Sequence, residues 1–231
     1  MNDALLNVLR SVDTPTVCNA IEAAQGKRGF NNFTKATMVA SAPEEKSVVG
    51  YALTAKIAAT SAPEESTESL KERRMAYYKY MAEGQRPSVA VIEDCDFPNC
   101  VGAFWGEINT TVHKGFGVSG VVTNGVVRDL DDLPTGFPVI AGSIGPSHAF
   151  VHVREFGKPV SVFGLEVEEG DLVHADRHGA LVIPSLVIPS LQHAIEKLIA
   201  TERLVLDPAS KPDFDFEAFA KAWAAFEAAR T

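Results

Sequence analysis

The sequence has few cysteines, no long hydrophobic run and a shortage of basic residues. Only three cysteines, Cys18, Cys95 and Cys100, occur in 231 residues, and their odd number and irregular spacing argue against a disulfide scaffold or a cysteine-bound metal. No apolar run approaches the ~18–20 residues of a membrane-spanning helix, and the first residues lack the basic and apolar segments of a signal peptide. We therefore expect a cytoplasmic protein with no membrane partner.

The shortage of basic residues also restricts the choice of partners. The chain has 21 lysines and arginines against 30 aspartates and glutamates, a formal net charge of −9 at pH 7. Such a charge repels a phosphate backbone, so nucleic-acid binding would need a local basic patch. The densest basic stretch, residues 71–74, follows acidic residues at 64–68 and is typical of a solvated helix face. We expect no nucleic-acid partner.

Hydrophobic patterning predicts a mixed α/β protein. Helices are predicted over residues 5–25, 64–83, 186–205 and 214–229. The first has apolar residues at helical spacing and restarts at Thr14, read as an N-cap, and Pro15, and the second has an acidic start and a basic middle that suit the helix dipole. Apolar and β-branched runs predict strands over residues 48–58, 89–93, 118–123, 138–141, 160–163, 172–175 and 179–183. Residues 102–106 predict a glycine-flanked turn into a helix. We expect one domain over residues 1–206, followed by a linker and an amphipathic helix over residues 207–231.

An arginine and an aspartate stand side by side just after a predicted buried strand. The strand over residues 118–123 ends in Asn124-Gly125, and Arg128-Asp129 follows two valines later. Ligands commonly bind at strand ends of α/β sheets, where an arginine can hold a planar carboxylate and an aspartate can bind Mg²⁺ or Mn²⁺. A surface ion pair that caps the next turn is the other interpretation, and the spacing alone leaves both open.

A second candidate lies twenty residues earlier. Gly106 permits a close backbone approach to a ligand, and a helix that begins there would point free N–H groups at an anion such as a substrate carboxylate. Glu107 is then a candidate base. Taken alone, Glu107 is better interpreted as an acidic residue that favours the start of a helix.

Together the two candidates resemble a known family. Glu107, a spacer of twenty residues and Arg128-Asp129 are similar to the acid-x20-Arg-Asp signature of the RraA-like family, and residues 117–133, 158–160 and 169–184 also resemble it. That family contains 4-hydroxy-4-methyl-2-oxoglutarate aldolases with oxaloacetate decarboxylase activity, and the regulator of ribonuclease E activity A. The likeness runs from residue 14 to about residue 199.

The resemblance implies an α/β/β/α swivelling-domain fold and homotrimers, often paired into homohexamers, with active sites between subunits. It implies a divalent-metal-dependent lyase that cleaves a C–C bond beside a 2-oxo acid carbonyl through a pyruvate enolate, without a Schiff base. Asp129 would bind Mg²⁺ or Mn²⁺ directly, Arg128 would bind the substrate anion, and Glu107 would act through water on the metal and in proton transfer.

Further roles are implied for residues around these three. The backbone at Gly106 and the amides of Ile108 and Asn109 would receive the substrate carboxylate. An acid on a late helix of the neighbouring subunit would also order metal waters, and Glu202 is our candidate for it, with Glu196 second.

Two departures and two alternatives accompany the resemblance. The acid before the spacer is usually aspartate in the aldolases but is Glu107 here, and the aldolases commonly have an acid near Thr123-Asn124. The regulator branch lacks the acid before the spacer, so Glu107 favours the enzyme branch. The alternatives are a non-catalytic binding protein of the ribonuclease-regulator type and a same-fold enzyme with another substrate.

Two pairs of histidines have the spacing of metal ligands on a helix. His174 and His178 lie in a predicted strand-turn-strand, and no helix is predicted around His148 and His152. Residues four apart share a face on a helix but need not do so in a turn, so we expect hydrogen bonding in turns rather than a zinc site.

Overall fold

The computed structural model describes residues 1–45 and 47–230 and has a mixed α/β fold. The helices are α1 (Asp3–Ser11), α2 (Thr14–Gln25), α3 (Thr67–Glu83), α4 (Glu107–Gly115), α5 (Ile188–Ala209) and α6 (Phe216–Arg230). The strands are β1 (Val39–Ala40), β2 (Val48–Ala58), β3 (Ser88–Asp94), β4 (Ala103–Trp105), β5 (Val118–Thr123), β6 (Val126–Val127), β7 (Val139–Ala141), β8 (Ser143–Ile144), β9 (His152–Phe156), β10 (Val160–Val162), β11 (Leu165–Val167), β12 (Leu172–Asp176) and β13 (Gly179–Ile183). The mixed α/β class predicted from the sequence is confirmed.

The loops that lead to the candidate site leave the main sheet at the carboxyl ends of its parallel strands. Its strand order is β1-β7-β5-β3-β2-β12-β13, and β9 also pairs with the end of β2. Strands β2, β3, β5 and β7 are parallel neighbours. Their carboxyl ends therefore lie together, and the chain leaves β3 and β5 at that edge.

Both faces of the central strands are buried, which explains why they read as continuous apolar runs. Along β3, Ala90 and Ile92 pack on the face that α3 and α4 cover. Val89 and Val91 pack on the opposite face, against the β10–β11 hairpin. The sheet is thus held between a helical layer and a small β layer.

A second helical layer covers the β12–β13 end of the sheet. Helices α1, α2 and α5 bury apolar residues such as Leu9, Ile21 and Ile195 against these strands, where Leu181 of β13 lies in the same cluster. The predicted restart between α1 and α2 is confirmed, but the predicted cap is wrong. The Asp13 side chain accepts a hydrogen bond from the Thr16 amide at 2.9 Å and is the N-cap.

Two other predictions differ from the structure. Residues 103–105 form strand β4 rather than part of a turn, because they pair with β6, and β6 pairs with β8 in a small parallel sheet. Helix α5 continues through Pro208 to Ala209, so the chain becomes irregular later than the predicted start of the linker at residue 207. The division into domains at residue 206 stays a prediction.

The aromatic C-terminal helix packs on the body of its own chain. Helix α6 lies against α5, with Ala222 buried. Phe216 and Trp223 on the same helix remain exposed. No helix within the described residues combines the length and apolar character needed to cross a bilayer.

Candidate active site at the ends of β4 and β6

The small parallel sheet brings the two sequence candidates together. Strands β4 and β6 are paired, with Trp105 opposite Val127. Gly106 and Glu107 follow β4, and Arg128 and Asp129 follow β6, so the four residues emerge side by side. The Arg128 amide donates to the Trp105 carbonyl at 2.9 Å and extends this pairing to the edge of the site.

Asp129 is held with one carboxylate oxygen engaged and the other available. Its Oδ2 accepts a hydrogen bond from the Glu107 amide at 3.2 Å and lies 3.2 Å from Arg128 Nε. Its Oδ1 has no protein partner among residues 1–45 and 47–230. The backbone of Asp129 is left-handed, with φ of 55°, a conformation that non-glycine residues rarely adopt and that often marks functional sites.

Arg128 contacts Asp129 but keeps hydrogen-bond donors available. Its side chain is 30% exposed, and Nε is buried, but no N–H of the guanidinium makes an aligned hydrogen bond within the described chain. The contact with Asp129 is therefore an ion pair with poor hydrogen-bond geometry rather than a bidentate pair. The donors of the guanidinium remain free to bind an oxyanion.

Gly106 is needed because the ion pair rests on its backbone. A Cβ at residue 106 would lie 2.5 Å from Asp129 Oδ2 and 2.9 Å from Arg128 Nε. Its φ of −147° suits any residue, so space and not backbone freedom requires the glycine. Any larger residue would displace the two side chains that carry the candidate site.

The N-terminus of α4 points its free amides at the same place. Gly106 is the N-cap and supplies no side-chain hydrogen bond. Glu107 donates its amide to Asp129, whereas the amides of Ile108 and Asn109 have no acceptor in the described part of the chain, as is usual for the first turn of a helix. The Asn109 side chain is engaged elsewhere, with Tyr78 and the Phe104 carbonyl. An anion could therefore bind the two free amides.

The donor set fits a hard divalent cation held by few protein ligands. Within residues 1–45 and 47–230, no group of three or more His, Cys, Asp or Glu side chains is arranged around a metal position. Mg²⁺ commonly binds one or two carboxylates and keeps several waters. The free Oδ1 of Asp129 and the exposed carboxylate of Glu107 match that pattern, and a zinc-type cage is not present in the described residues.

Comparison with known proteins identifies the family. A family model described as RraA-like (Aldolase/RraA) matches residues 14–182, well over half of the chain. The chain belongs to the RraA-like family. The family that the sequence resembles is thereby confirmed.

Proteins similar to this chain carry names of both kinds, an aldolase and a ribonuclease inhibitor. A Halalkalibacterium halodurans protein, provisionally named 4-hydroxy-4-methyl-2-oxoglutarate aldolase, is 25% identical over 177 residues, 76% of this chain and 74% of that protein. An uncharacterized Methanocaldococcus jannaschii protein is 25% identical over 203 residues, 87% of this chain and 86% of its own. A Streptomyces coelicolor structure, described as an unusual member of the RNase ES inhibitor RraA family, has a TM-score of 0.64 at 21% identity and covers 91% of this chain and 98% of its own. At that identity the structural match shows the fold alone.

The acids predicted on the late helix lie away from Asp129 in the same chain. Glu202 is half-buried and lines a cleft of about 840 Å³ between α2, α5 and α6, whose lining includes none of the residues around Asp129. Glu196 is exposed and accepts a hydrogen bond from Gln192. A role for either acid at an RraA-like site would therefore require a second copy of the chain.

The four histidines with suggestive spacing make hydrogen bonds, but the prediction of bonding within turns is wrong for His174, which lies in β12 and bonds to residues of α1 and α2. His174 is buried, with Nδ1 3.0 Å from the Thr14 hydroxyl and Nε2 2.9 Å from the Leu9 carbonyl. His178 Nδ1 lies 3.1 Å from Asp176 Oδ1 in the β12–β13 turn. His148 and His152 each place Nδ1 near a backbone carbonyl, those of Ala149 and Phe150.

Sequence reasoning missed a fifth histidine, which supports the site helix α4. His113 is buried, with Nδ1 2.6 Å from the Asn109 carbonyl and Nε2 2.8 Å from the Tyr77 hydroxyl. A carbonyl can only accept, so Nδ1 carries the proton and Nε2 accepts from tyrosine. This is a neutral imidazole. Its only signal in the sequence is a histidine on the apolar side of a short amphipathic helix.

The stability of the fold should depend on pH through His113. Burial lowers the pKa of His113 from 6.5 to about 4. Between these values the unfolded chain takes up a proton that the folded protein does not, so the free energy of unfolding should fall by about 3 kcal/mol as pH drops from 6.5 to 4. Urea unfolding at a series of pH values measures this loss.

The variant His113→Gln isolates this contribution from that of His174, whose pKa burial also lowers. The variant should be less stable than the wild type at pH 7 but should lose less stability between pH 6.5 and 4. Parallel pH profiles for the two proteins would contradict the assignment of a neutral buried His113.

Proposed function

We propose that the chain is a divalent-metal-dependent lyase that cleaves the C–C bond next to the carbonyl of a 2-oxo acid. The observation that carries the proposal is the meeting of three distinct binding groups at one sheet edge. These groups are the free Oδ1 of Asp129, the guanidinium of Arg128, whose N–H groups make no aligned hydrogen bond within the described residues, and the free amides of Ile108 and Asn109. A surface ion pair that merely caps a turn would need none of the three. The name of the Halalkalibacterium halodurans relative supports the same reaction class.

Each group has a separate task in such a reaction. A bound Mg²⁺ or Mn²⁺ would polarise the keto group of the substrate as a Lewis acid. Asp129 would hold the ion, and the Ile108 and Asn109 amides would bind the substrate carboxylate. Arg128 would stabilise the negative charge that develops on the enolate oxygen, where preorganised charge contributes most to catalysis.

The same arrangement serves two related cleavages. In a retro-aldol reaction the 4-hydroxyl loses its proton, the C3–C4 bond breaks, and its electron pair forms the pyruvate enolate while C4 leaves as a carbonyl. In decarboxylation of oxaloacetate the bond to the distal carboxylate breaks, carbon dioxide leaves and the same enolate results. A proton added to C3 then gives pyruvate in both cases. Glu107, exposed beside Asp129, is the candidate for moving these protons, directly or through water.

Pyruvate release from the purified protein tests the proposal. We expect turnover of oxaloacetate or of 4-hydroxy-4-methyl-2-oxoglutarate with Mg²⁺ or Mn²⁺, and its loss on addition of a chelator. Because divalent ions alone decarboxylate oxaloacetate slowly, metal without protein is the necessary blank. If no substrate in a panel of 4-hydroxy-2-oxo acids is turned over above that blank, the binding-protein alternative is favoured.

We further propose that the chain acts as a homotrimer or homohexamer. Three large apolar residues around the site are exposed in the single chain: Ile108 beside Glu107, Leu130 beside Asp129, and Ile144, which pairs with Val127. Apolar side chains gathered around a polar site commonly mark a surface covered by a partner. Light scattering of the purified protein should give about three or six times the chain mass of 24.8 kDa, and a monomer would contradict the proposal.

Charge distribution supports a specific way for copies to meet. The cleft that contains Glu202 is lined by three basic residues and one further acidic residue: Lys27, Arg28, Lys197 and Glu22. No ion pair within the described residues involves any of the three basic residues. The short 3-10 helix Leu130–Asp132, which follows Asp129, is acidic and exposed. We propose that this acidic turn docks against the three basic residues of the next copy, which would bring Glu202 towards the metal of its neighbour.

A further inference from the structure

Asn124 lies where the two loops of the candidate site diverge. It follows β5 and is 5% exposed. From this point the chain runs through β6 to Arg128 and Asp129. The neighbouring strand β3 ends at Asp94, from which the chain runs through residues 95–102 and β4 to Glu107. The ends of β3 and β5 are therefore the common base of both loops.

The Asn124 side chain joins these two strand ends by a reciprocal pair of hydrogen bonds. Its Oδ1 accepts from the Asp94 amide at 2.7 Å, and its Nδ2 donates to the Asp94 carbonyl at 3.2 Å. The ladder between β3 and β5 ends with Ile92 opposite Thr123. The Asn124 side-chain amide thus continues the pairing beyond the last pair of backbone partners. Only an amide offers both a donor and an acceptor in this arrangement.

The surroundings hold this connection in one position. Gly125 packs so closely that a Cβ there would lie 3.1 Å from Asp94 Oδ2, and its carbonyl accepts from the Gly142 amide at 3.0 Å. The Cys100 thiol, in the loop that leads to β4, donates to the Asn124 carbonyl at 3.7 Å. Burial, together with the nearby Asp94 carboxylate, raises the pKa of Cys100 to about 12, so the thiol keeps its proton at neutral pH.

We infer that Asn124 is a positioning residue that anchors the common base of the two loops and, together with the direct β4–β6 pairing, holds the α4 amides at a set distance from Asp129. The inference rests on the proposed function, in which the ion sits mainly on the β6 loop through Asp129 and the substrate carboxylate sits on the β4 loop through the α4 amides. A ligand that spans both loops therefore depends on their spacing. The ion alone depends on it much less.

Comparing Mn²⁺ affinity with oxalate affinity therefore distinguishes positioning of the loops from a general effect on the fold. Asn124→Ala removes both hydrogen bonds to Asp94 without adding a charge. We expect Mn²⁺ affinity, measured by electron paramagnetic resonance, to stay within about threefold of the wild type. The affinity of the Mn²⁺-loaded protein for oxalate, a planar mimic of the pyruvate enolate, should fall by tenfold or more, a difference of about 1.4 kcal/mol.

Two further variants separate positioning from loss of stability. Asn124→Asp keeps the size and the acceptor for the Asp94 amide but turns the donor to the Asp94 carbonyl into an oxygen, and it replaces the first variant if that one does not fold. Ile195→Val removes one methylene from the buried helical layer, away from both loops, and should lower stability without changing the ratio of oxalate to Mn²⁺ affinity. Unchanged oxalate affinity in folded Asn124 variants, or the same ratio in all variants, would overturn the inference.

Hydrogen exchange distinguishes failure of this inference from failure of the proposed function. If the wild type binds neither Mn²⁺ nor oxalate, the proposed function is wrong, and the spacing is then judged from the protein alone. Faster exchange of amides in residues 95–106 and 125–129 of the Asn124 variants, but not of Ile195→Val, would support the role of Asn124 as a spacer. Unchanged exchange in both loops would overturn it.

Discussion

Asp129→Asn should abolish metal-dependent turnover while leaving the protein folded. Asparagine has the same shape and tolerates the left-handed backbone at this position, where φ is 55°. It removes the negative charge from the only carboxylate that we assign as a direct ligand. We expect kcat/KM for pyruvate formation to fall by about a thousandfold, or about 4 kcal/mol of transition-state stabilisation, and Mn²⁺ affinity to fall with it.

Two other variants provide matched controls for this prediction. Asp3→Asn makes the same change of charge in the exposed first turn of α1 and should retain both activity and Mn²⁺ affinity. Arg128→Gln should retain Mn²⁺ affinity but lose turnover, because it removes the charge that we assign to the substrate side. Metal-dependent activity of Asp129→Asn within tenfold of the wild type would show that the ion binds elsewhere.

The long elements of the fold are predictable from the sequence, whereas the short ones are not. Strand β2 (Val48–Ala58) and helix α3 (Thr67–Glu83) are long enough for their composition to indicate their type, a β-branched apolar run in the strand and a charged segment with an acidic start in the helix. Strands β4, β6 and β8 have only two or three residues each and exist because they pair with one another. That pairing joins segments that are separated in the sequence, so it depends on the tertiary structure. Residues 102–106 were therefore predicted as a turn, since the flanking glycines were the stronger local signal.

The candidate site shows the same division between local and tertiary information. The spacing from Glu107 to Arg128-Asp129 is visible in the sequence, and the structure explains it, because both segments leave adjacent strands of one small sheet. The contribution of Asn124 is not visible, since an asparagine after a strand looks the same whether it lies in an exposed turn or bonds to a buried neighbouring strand. Its 5% exposure and its two bonds to Asp94 become apparent only in three dimensions.

Gly106→Ala should damage the site far more than the fold. The added methyl would lie 2.5 Å from Asp129 Oδ2 and 2.9 Å from Arg128 Nε, so both side chains must move. Both side chains are partly exposed, and Arg128 makes no aligned hydrogen bond that its displacement would break, so the shift costs the fold little. For the reaction, a shift of about 1 Å in groups that position the substrate typically costs about a hundredfold in rate. We therefore expect kcat/KM to fall by about a hundredfold, with a change in unfolding free energy below about 1 kcal/mol.

Gly115→Ala is the matched control, because it makes the same substitution at the other end of α4, where a Cβ would meet nothing within 4 Å. It should leave turnover unchanged. Steady-state kinetics and urea unfolding of both variants provide the comparison. Equal activity in the two variants would mean that Arg128 and Asp129 do not need their positions against Gly106. A large loss of stability together with the loss of activity in Gly106→Ala would mean that the glycine is required for folding. Loss of activity with retained stability is the result that ties this glycine to the chemistry of the adjoining ion pair.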